Sequence, residues 1–154
     1  MLKNISLLHV FQFFLLNFVL FQYLYSQSPD VLWTKTFGGT GGDNGYSVQQ
    51  TYDGGYIITG YTTSFGAGGS DVWLVKTDAL GDTLWTNTFG GSDDDYGFSV
   101  QQTIDSGYIM TGITSSFGAG EYDVWLIKTD ASGDTLWTKT FGGSDYDIVG
   151  TLPR

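Results

Sequence analysis

The chain contains no cysteine, and its only histidine, His9, lies close to the amino terminus. Without cysteine the protein has no disulfide, no thiolate nucleophile and no cysteine-ligated metal site. Because His9 falls inside the leader described below, the remaining residues also lack an imidazole for a Ser-His-Asp arrangement or a histidine-ligated zinc. These absences exclude several classes of enzyme and leave packing alone to hold the fold.

Residues 1–28 have the pattern of a secretory signal peptide. Lys3 supplies a positive charge, residues 5–24 are mostly Leu, Phe and Val, and the small polar residues Ser26 and Ser28 follow. An uncleaved membrane anchor is the alternative, because about 20 apolar residues can span a bilayer. Either interpretation predicts that residues 29–154 are exported, with no membrane contact beyond the leader, and are secreted or held at the cell surface.

The expected mature chain is strongly acidic, with 5 basic and 16 acidic residues and hence a formal net charge of −11. Such a surface repels nucleic acid and anionic membranes, so neither is expected as a partner. Fifteen of the acids are Asp, and only Glu121 is Glu. Because Asp bonds readily to nearby backbone amides, this bias predicts turn-rich β structure.

An internal repeat organises the mature chain. The octapeptide "LWTKTFGG" at Leu32 returns as "LWTNTFGG" at Leu84 and as "LWTKTFGG" at Leu136, always 52 residues apart. Residues 32–83 and 84–135 align without a gap and share 37 of 52 positions, and a partial third copy covers residues 136–147. A period near 50 residues is typical of propellers, solenoids and other repeat arrays.

Each period contains four short β segments, of the types "GYSVQQT", "GYIITGYTT", "DVWLVKT" and "TLWTKTF". All are rich in β-branched and aromatic residues and are bounded by Gly or Asp, and no window shows helical periodicity. "VWLV" (72–75) and "VWLI" (124–127) are apolar on both faces, which predicts buried strands, whereas "LWTKTF" alternates and predicts an outer strand. The predicted fold is all-β, with β-propeller-like blades of four antiparallel strands.

The segment "DGGYIITGYTTSFGAGGSDVWLVKTDALGDTLWTNTFGG" resembles the propeller-type repeats of large secreted bacterial surface proteins. The resemblance covers residues 32 to about 147 and implies a β-propeller outside the cell, with no defined activity. The "TD…GDTLW" turn is also similar to the Asp-box turn of sialidase-like propellers, where one residue separates Asp from Gly. Here two residues do, Ala79 and Leu80 in the first copy, so we infer shared turn chemistry only.

Two full repeats and partial strands give an incomplete propeller, because a closed ring typically needs four or more blades. The third copy stops matching after "LWTKTFGGSDYD", where "IVGTLPR" follows. We therefore expect a truncated fragment of a larger protein, with an oligomer that completes the ring as the alternative. Blade faces left uncovered are expected to cause self-association.

The acidic run Asp93, Asp94 and Asp95 is the candidate calcium site, because hard oxygen ligands suit Ca²⁺. The copies of this loop share no ligand pattern, so a solvated acidic loop is the preferred interpretation and no cofactor is expected, with Ca²⁺ as the alternative. Asp71 and Asp123 precede the buried strands, where they are either ligands or acceptors for backbone amides, the latter being favoured. Lys76 and Lys128 end these strands and are each expected to pair with an Asp.

Aromatic residues fall into repeated and variable positions. Trp73 and Trp125 share one repeat position, and a second position holds Trp33, Trp85 and Trp137; identical placement in each copy favours packing in the core over sugar stacking. The positions of Tyr61, Tyr96 and Tyr122 differ between copies, which makes these tyrosines the better candidates for exposed contacts.

Two classes of function follow. The first is a non-enzymatic secreted or cell-surface scaffold, adhesion or binding module, whose partner is a protein or a glycan. The alternative is a glycan-active or carbohydrate-binding protein of the sialidase-like type. Glu121 is the only acid outside the acidic loop that departs from the repeat, and Arg154 is the only arginine. A sialic acid carboxylate is best held by several arginines, so the first class is favoured and no catalytic residue is assigned.

Overall fold

A computed structural model describes residues 30–147. The signal peptide predicted at residues 1–28, and the residues from 148 onward, lie outside the described part. The chain divides into two compact units, residues 1–34 and 35–154, and every described strand belongs to the second. Residues 30–147 contain no helix, and so none that could cross a membrane.

Eight strands form two four-stranded sheets. Sheet one contains β1 Asp43–Gln50, β2 Tyr56–Thr62, β3 Asp71–Thr77 and β4 Thr83–Phe89. Sheet two contains β5 Asp95–Gln102, β6 Tyr108–Thr114, β7 Asp123–Thr129 and β8 Thr135–Phe141. Each sheet is an antiparallel meander in which consecutive strands are neighbours. The prediction of an all-β chain with four strands per period is therefore confirmed.

The sheets and the sequence repeats are offset by one strand. "LWTNTF" closes sheet one as β4, because it follows β3 through a tight turn that pairs Thr77 with Thr83. In the same way "LWTKTF" of the third copy closes sheet two as β8. The first copy, residues 32–37, lies in no strand. No strand precedes it within the described residues, so it lacks the hairpin partner that β4 and β8 have.

The turns between the third and fourth strands are built alike in both sheets. Asp78 Oδ1 accepts hydrogen bonds from the backbone N–H of Leu80 at 2.8 Å and of Asp82 at 2.9 Å. Gly81 has a φ of 78°, a left-handed conformation that a side chain disfavours. Asp130 and Gly133 repeat this arrangement in sheet two. The turn chemistry inferred for the "TD…GDTLW" stretch is therefore confirmed in both sheets.

The core lies between the two sheets, which pack face to face. Val72 and Leu74 of β3 belong to the same buried cluster as Trp125 and Ile127 of β7. Around them the cluster includes four further buried side chains from β2, β5 and β6, namely Ile57, Val100, Tyr108 and Met110. Burial of these apolar side chains is the main source of stability, at about 1.5–3 kcal/mol for each large aliphatic side chain.

Polar contacts fix the register of one sheet on the other. Gln49 Oε1 of sheet one accepts the backbone N–H of Gln102 of sheet two at 2.6 Å, and Gln102 Oε1 accepts the N–H of Tyr52 at 2.8 Å. The ring of Trp85 meets that of Tyr108 edge to face, with centroids 5.8 Å apart. Because the repeat supplies the same residue types in each sheet, these contacts define the position of one sheet on the next.

Only one of the two predicted central strands is buried throughout. All seven residues of β3 are buried, as predicted. In β7, Val124 and Leu126 are only half-buried, although the equivalent Val72 and Leu74 are 1% and 0% exposed. The prediction for "VWLI" is thus correct for Trp125 and Ile127 alone. The reason is that sheet one covers one face of β7, while no described sheet covers the other.

We expect this half-covered face to cause self-association. Leu126→Thr removes apolar area from the open face and should reduce the association seen by sedimentation, with little loss of stability. The matched change Leu74→Thr, at the same repeat position but fully buried, should cost about 2–5 kcal/mol of unfolding free energy. Equal effects of the two changes on association and on stability would contradict the assignment of Leu126 to an open face.

Candidate functional site

One edge of each sheet is lined with aspartate. β1, β3, β5 and β7 begin with Asp43, Asp71, Asp95 and Asp123. In an antiparallel meander alternate strands start at the same edge, so each sheet presents two of these residues together. Asp147 follows β8 at the repeat position of Asp43 and Asp95. We call this side of the two sheets the aspartate edge.

The first aspartate of each copy accepts hydrogen bonds from residues of two different loops. Asp95 Oδ2 accepts the backbone N–H of Gly91 at 2.9 Å and the hydroxyl of Ser116 at 2.7 Å. Asp43 Oδ2 does the same with Gly39 at 2.9 Å and Ser64 at 2.7 Å. The pKa of Asp43 is lowered, first by the hydroxyl of Thr62 and then by these donors, against an opposing effect of burial. This position therefore serves the fold in every copy.

The three residues of the acidic run do not converge on one point. Asp95 is fully buried at the start of β5, and Asp94 Oδ1 accepts the backbone N–H of Ser70 at 2.8 Å. Asp93 is exposed and lies beside the hydroxyl of Ser92 at 3.3 Å. Within residues 30–147 no three acidic or histidine side chains come close enough to hold a metal ion. A site formed by Asp93, Asp94 and Asp95 together remains a prediction from the sequence alone.

Asp71 and Asp123 accept backbone amides, the role that the sequence favoured for them. Asp71 Oδ2 accepts the N–H of Ala67 at 2.8 Å, and Asp123 Oδ2 accepts that of Ala119 at 2.6 Å. Both side chains are buried. Burial raises the pKa of Asp71; the bond from Ala67 opposes this, and the nearby charge of Asp95 adds to it.

Beside the aspartate edge, five tyrosines form a continuous row across both sheets. Ring centroids of neighbours in the row are 5.0–6.3 Å apart, in tilted or edge-to-face arrangements, in the order Tyr46, Tyr61, Tyr96, Tyr122 and Tyr146. The two ends, Tyr46 and Tyr146, are 52% and 53% exposed, and the three central rings are half-buried. We call this feature the tyrosine row.

The tyrosine row depends on residues that the repeat does not require. The repeat positions of Tyr96 and Tyr122 hold Asn44 and Ser70 in the first copy, and Tyr61 gives way to Ile113 in the second. The structure thus brings together the three tyrosines singled out as variable. It adds Tyr46 and Tyr146, which sequence reasoning missed. Tyr146 carried a usable signal, because Asp94 holds its repeat position in the preceding copy.

Two phenol groups of the row, those of Tyr46 and Tyr122, have a raised pKa and stay protonated at neutral pH. Burial raises the pKa of Tyr46, with smaller contributions from Tyr61 and Tyr96. Burial also raises the pKa of Tyr122, and the charge of Asp94 acts in the same direction. Each of these phenols therefore keeps an O–H that can donate a hydrogen bond, next to a ring face that can stack.

The prediction that the tryptophans pack in the core is confirmed for Trp73, Trp85 and Trp125 but is wrong for Trp33 and Trp137, which are 40% and 41% exposed. Trp73 and Trp125 are buried, and Trp85 packs against the core. Trp137, at the same repeat position as Trp85, is 41% exposed, and Lys139 Nζ lies 5.7 Å from its ring centroid. The difference arises because sheet two lies over Trp85, while no described sheet lies over Trp137. Glu121 is exposed in the loop before β7, adjacent in sequence to Tyr122.

At the opposite edge, the next-to-last residue of β3 and of β7 is a lysine that is paired with an aspartate. Lys76 Nζ lies 2.9 Å from Asp53 Oδ2, and Lys128 Nζ lies 2.9 Å from Asp105 Oδ2. The lysine side chains are almost buried and also donate to the carbonyls of Thr77 and Thr129. The expected pairing of both lysines is confirmed, and it belongs to the scaffold because it repeats.

Comparison with known proteins gives no assignment: no protein-family model matches this chain, and no curated protein shows significant similarity to it.

We expect the Lys76–Asp53 pair to contribute more to the free energy of unfolding than an exposed ion pair does. Asp53→Asn leaves a buried ammonium without its carboxylate and should cost about 1–3 kcal/mol of unfolding free energy. The matched control is Asp82→Asn, which breaks the exposed Lys35–Asp82 pair and should cost about 0–1 kcal/mol. Equal costs for the two variants, measured by urea denaturation, would contradict this ranking.

The same pairs predict an acid-sensitive stability. The Thr51 hydroxyl and Lys76 lower the pKa of Asp53 from 3.8 to about 2, and the Thr103 hydroxyl and Lys128 lower that of Asp105 to about 2. Since both values are depressed in the folded state, the stabilisation is present above pH 4 and is lost as the pH falls from about 4 to 2. Denaturation at pH values between 5 and 2 should show that the free energy of unfolding falls with pH. This fall should be smaller in Asp53→Asn.

Proposed function

We propose that this chain is an exported, non-enzymatic binding module of propeller-like blades, and that the tyrosine row binds neutral glycans. The blade architecture is supported by two four-stranded meanders packed face to face at the 52-residue spacing of the repeat. The observation that carries the binding function is the row itself. It is continuous, half-exposed and built from positions at which the scaffold accepts other residues.

The chemistry of the row suits sugar rings. Aromatic faces stack on the C–H faces of a pyranose, while protonated phenols hydrogen-bond to its hydroxyl groups. Carboxylates at the same edge, among them Asp94, offer acceptors to sugar hydroxyls. Because the mature chain is strongly acidic and Asp94 lies close enough to affect Tyr122, an anionic glycan would be repelled. The favoured ligand is therefore an uncharged oligosaccharide.

We expect the central rings to supply most of the affinity. Tyr96→Ala and Tyr122→Ala should each weaken binding to a neutral oligosaccharide about 3- to 10-fold, since an aromatic contact contributes about 0.5–1.5 kcal/mol. The matched control is Tyr52→Ala, because Tyr52 is 77% exposed and lies outside the row. A neutral-glycan array followed by calorimetry on each hit measures the effect.

Two outcomes would count against the proposal. Binding that survives both substitutions in the row, or that is lost equally in Tyr52→Ala, would place the ligand elsewhere. Turnover of fluorogenic glycosides that Glu121→Gln abolishes would favour the enzymatic alternative, because Glu121 is the variable acid beside Tyr122. Binding without turnover is the result that the proposed function predicts.

A further inference from the structure

Where sheet one meets sheet two, the aspartate edge contains two carboxylates side by side. Asp71 begins β3 of sheet one and Asp95 begins β5 of sheet two, and the backbone N–H of Asp95 donates to the carbonyl of Ser70 at 2.6 Å. Both carboxylates lie against Gly90. A β-carbon placed on Gly90 would lie 2.1 Å from Asp71 Oδ1 and 2.7 Å from Asp95 Oδ2. The two carboxylates therefore border the same small space.

The repeat builds this pair a second time. A β-carbon on Gly142 would lie 1.9 Å from Asp123 Oδ1 and 2.6 Å from Asp147 Oδ2. Asp123 is the repeat equivalent of Asp71, Asp147 that of Asp95, and Gly142 that of Gly90. A contact that recurs with all three of its residues is a feature of the junction between successive copies.

Buried oxygens in both pairs have no hydrogen-bond partner among the described residues. They are Oδ1 of Asp95, whose side chain is fully buried, and Oδ1 of Asp123, which is 2% exposed. Oδ1 of Asp123 is also the atom that faces Gly142 and hence Asp147. A buried carboxylate oxygen without a donor costs about 1–3 kcal/mol or more, so Oδ1 of Asp123 points to a missing partner at the second junction. At the first junction the oxygen of Asp95 that faces Gly90 is Oδ2, and the unpaired Oδ1 is not among the atoms nearest to Gly90.

No lysine of the described residues supplies that partner. Lys35, Lys76 and Lys128 form ion pairs with Asp82, Asp53 and Asp105, and Lys139 lies over Trp137. The donors that do reach the first pair are the neutral backbone N–H groups of Ala67, on Asp71, and of Gly91, on Asp95, and neither brings a positive charge to the pair. Two buried, adjacent carboxylates repel each other when both are ionised, so the pair is stabilised either by a shared proton or by a cation between them.

We propose that each junction between successive copies binds a divalent cation, Ca²⁺ by preference, through the paired carboxylates Asp71 with Asp95 and Asp123 with Asp147. Two carboxylates supply part of the six to eight oxygen ligands that Ca²⁺ takes, and backbone carbonyls and water supply the rest. Few charged ligands give weak affinity, in the range of about 10⁻⁴–10⁻³ M that extracellular modules use. The cation would join one sheet to the next at the aspartate edge.

The test is thermal denaturation of the mature chain in EDTA and in about 10 mM Ca²⁺, which exceeds the expected dissociation constant. Binding to the folded state should raise Tm by about 5 °C or more. Asp71→Asn and Asp95→Asn keep a side-chain oxygen for their amide donors and should each remove the part of this rise that comes from the first junction. The control Asp93→Asn removes an equal charge from an exposed neighbour and should leave the rise unchanged.

Terbium luminescence gives a second readout, which measures the bound ion directly and not through the Tm of the variants. Tb³⁺ should bind the folded chain, Ca²⁺ should displace it, and Asp147→Asn, which alters the more exposed pair, should remove about half of the bound Tb³⁺. A Ca²⁺-dependent rise in Tm that is as large in Asp71→Asn and Asp95→Asn as in the unmodified chain would overturn the proposal, because both variants lack the first site. The proposal would also be overturned if Ca²⁺ left the Tm unchanged and Asp71→Asn had an equal or higher Tm at pH 7. That result would show that the pair holds a proton. Glycan binding is tested separately, so either inference can fail alone.

Discussion

The face-to-face packing of successive sheets is the constraint on which this molecule depends. A four-stranded meander with apolar residues on both faces of its third strand exposes apolar surface wherever a face is left uncovered. Where sheet two covers sheet one, Val72 and Leu74 are fully buried; where no described sheet follows, Val124 and Leu126 are not. The same residues thus have different environments only because of their place in the array. The fixed repeat follows from this constraint, because each sheet packs against the preceding sheet with one face and against the following sheet with the other.

Charge is distributed to support that packing. The lysines at the ends of β3 and β7 are nearly buried and are held by aspartates from the turn between the first two strands. At the other edge, aspartates accept backbone amides and hydroxyls and so fasten the loops that join strands. Asp suits these tasks better than Glu because its short side chain reaches the nearby backbone. The abundance of Asp is therefore structural first, and an acidic surface is its by-product.

The repeat also separates scaffold from function. Residues that recur in each copy are accounted for by turns, ion pairs or core contacts, as Trp73, Asp78 and Lys76 illustrate. Some residues that change between copies, such as Met110 and Ile127, still lie in the core, but others lie outside the core cluster. Tyr61, Tyr96 and Tyr122 change, and they lie together in the tyrosine row. A repeat protein can acquire a binding surface in this way, because substitutions at variable positions leave the sheet-to-sheet contacts intact.

The sequence alone determined the fold class, the four strands of each period, the turn roles of Asp78 and Gly81, and the ion pairs of Lys76 and Lys128. These features are local or periodic, and a period-two pattern or a turn motif is visible in a single stretch of chain. The tertiary structure decided the rest. It separated the acidic run into a buried Asp95, a loop-bonded Asp94 and an exposed Asp93, joined Asp71 to Asp95 across a junction, and aligned five tyrosines from two sheets. These relations join residues 15 or more positions apart or give adjacent residues different degrees of burial. They depend on how sheets stack, which no single stretch of sequence displays.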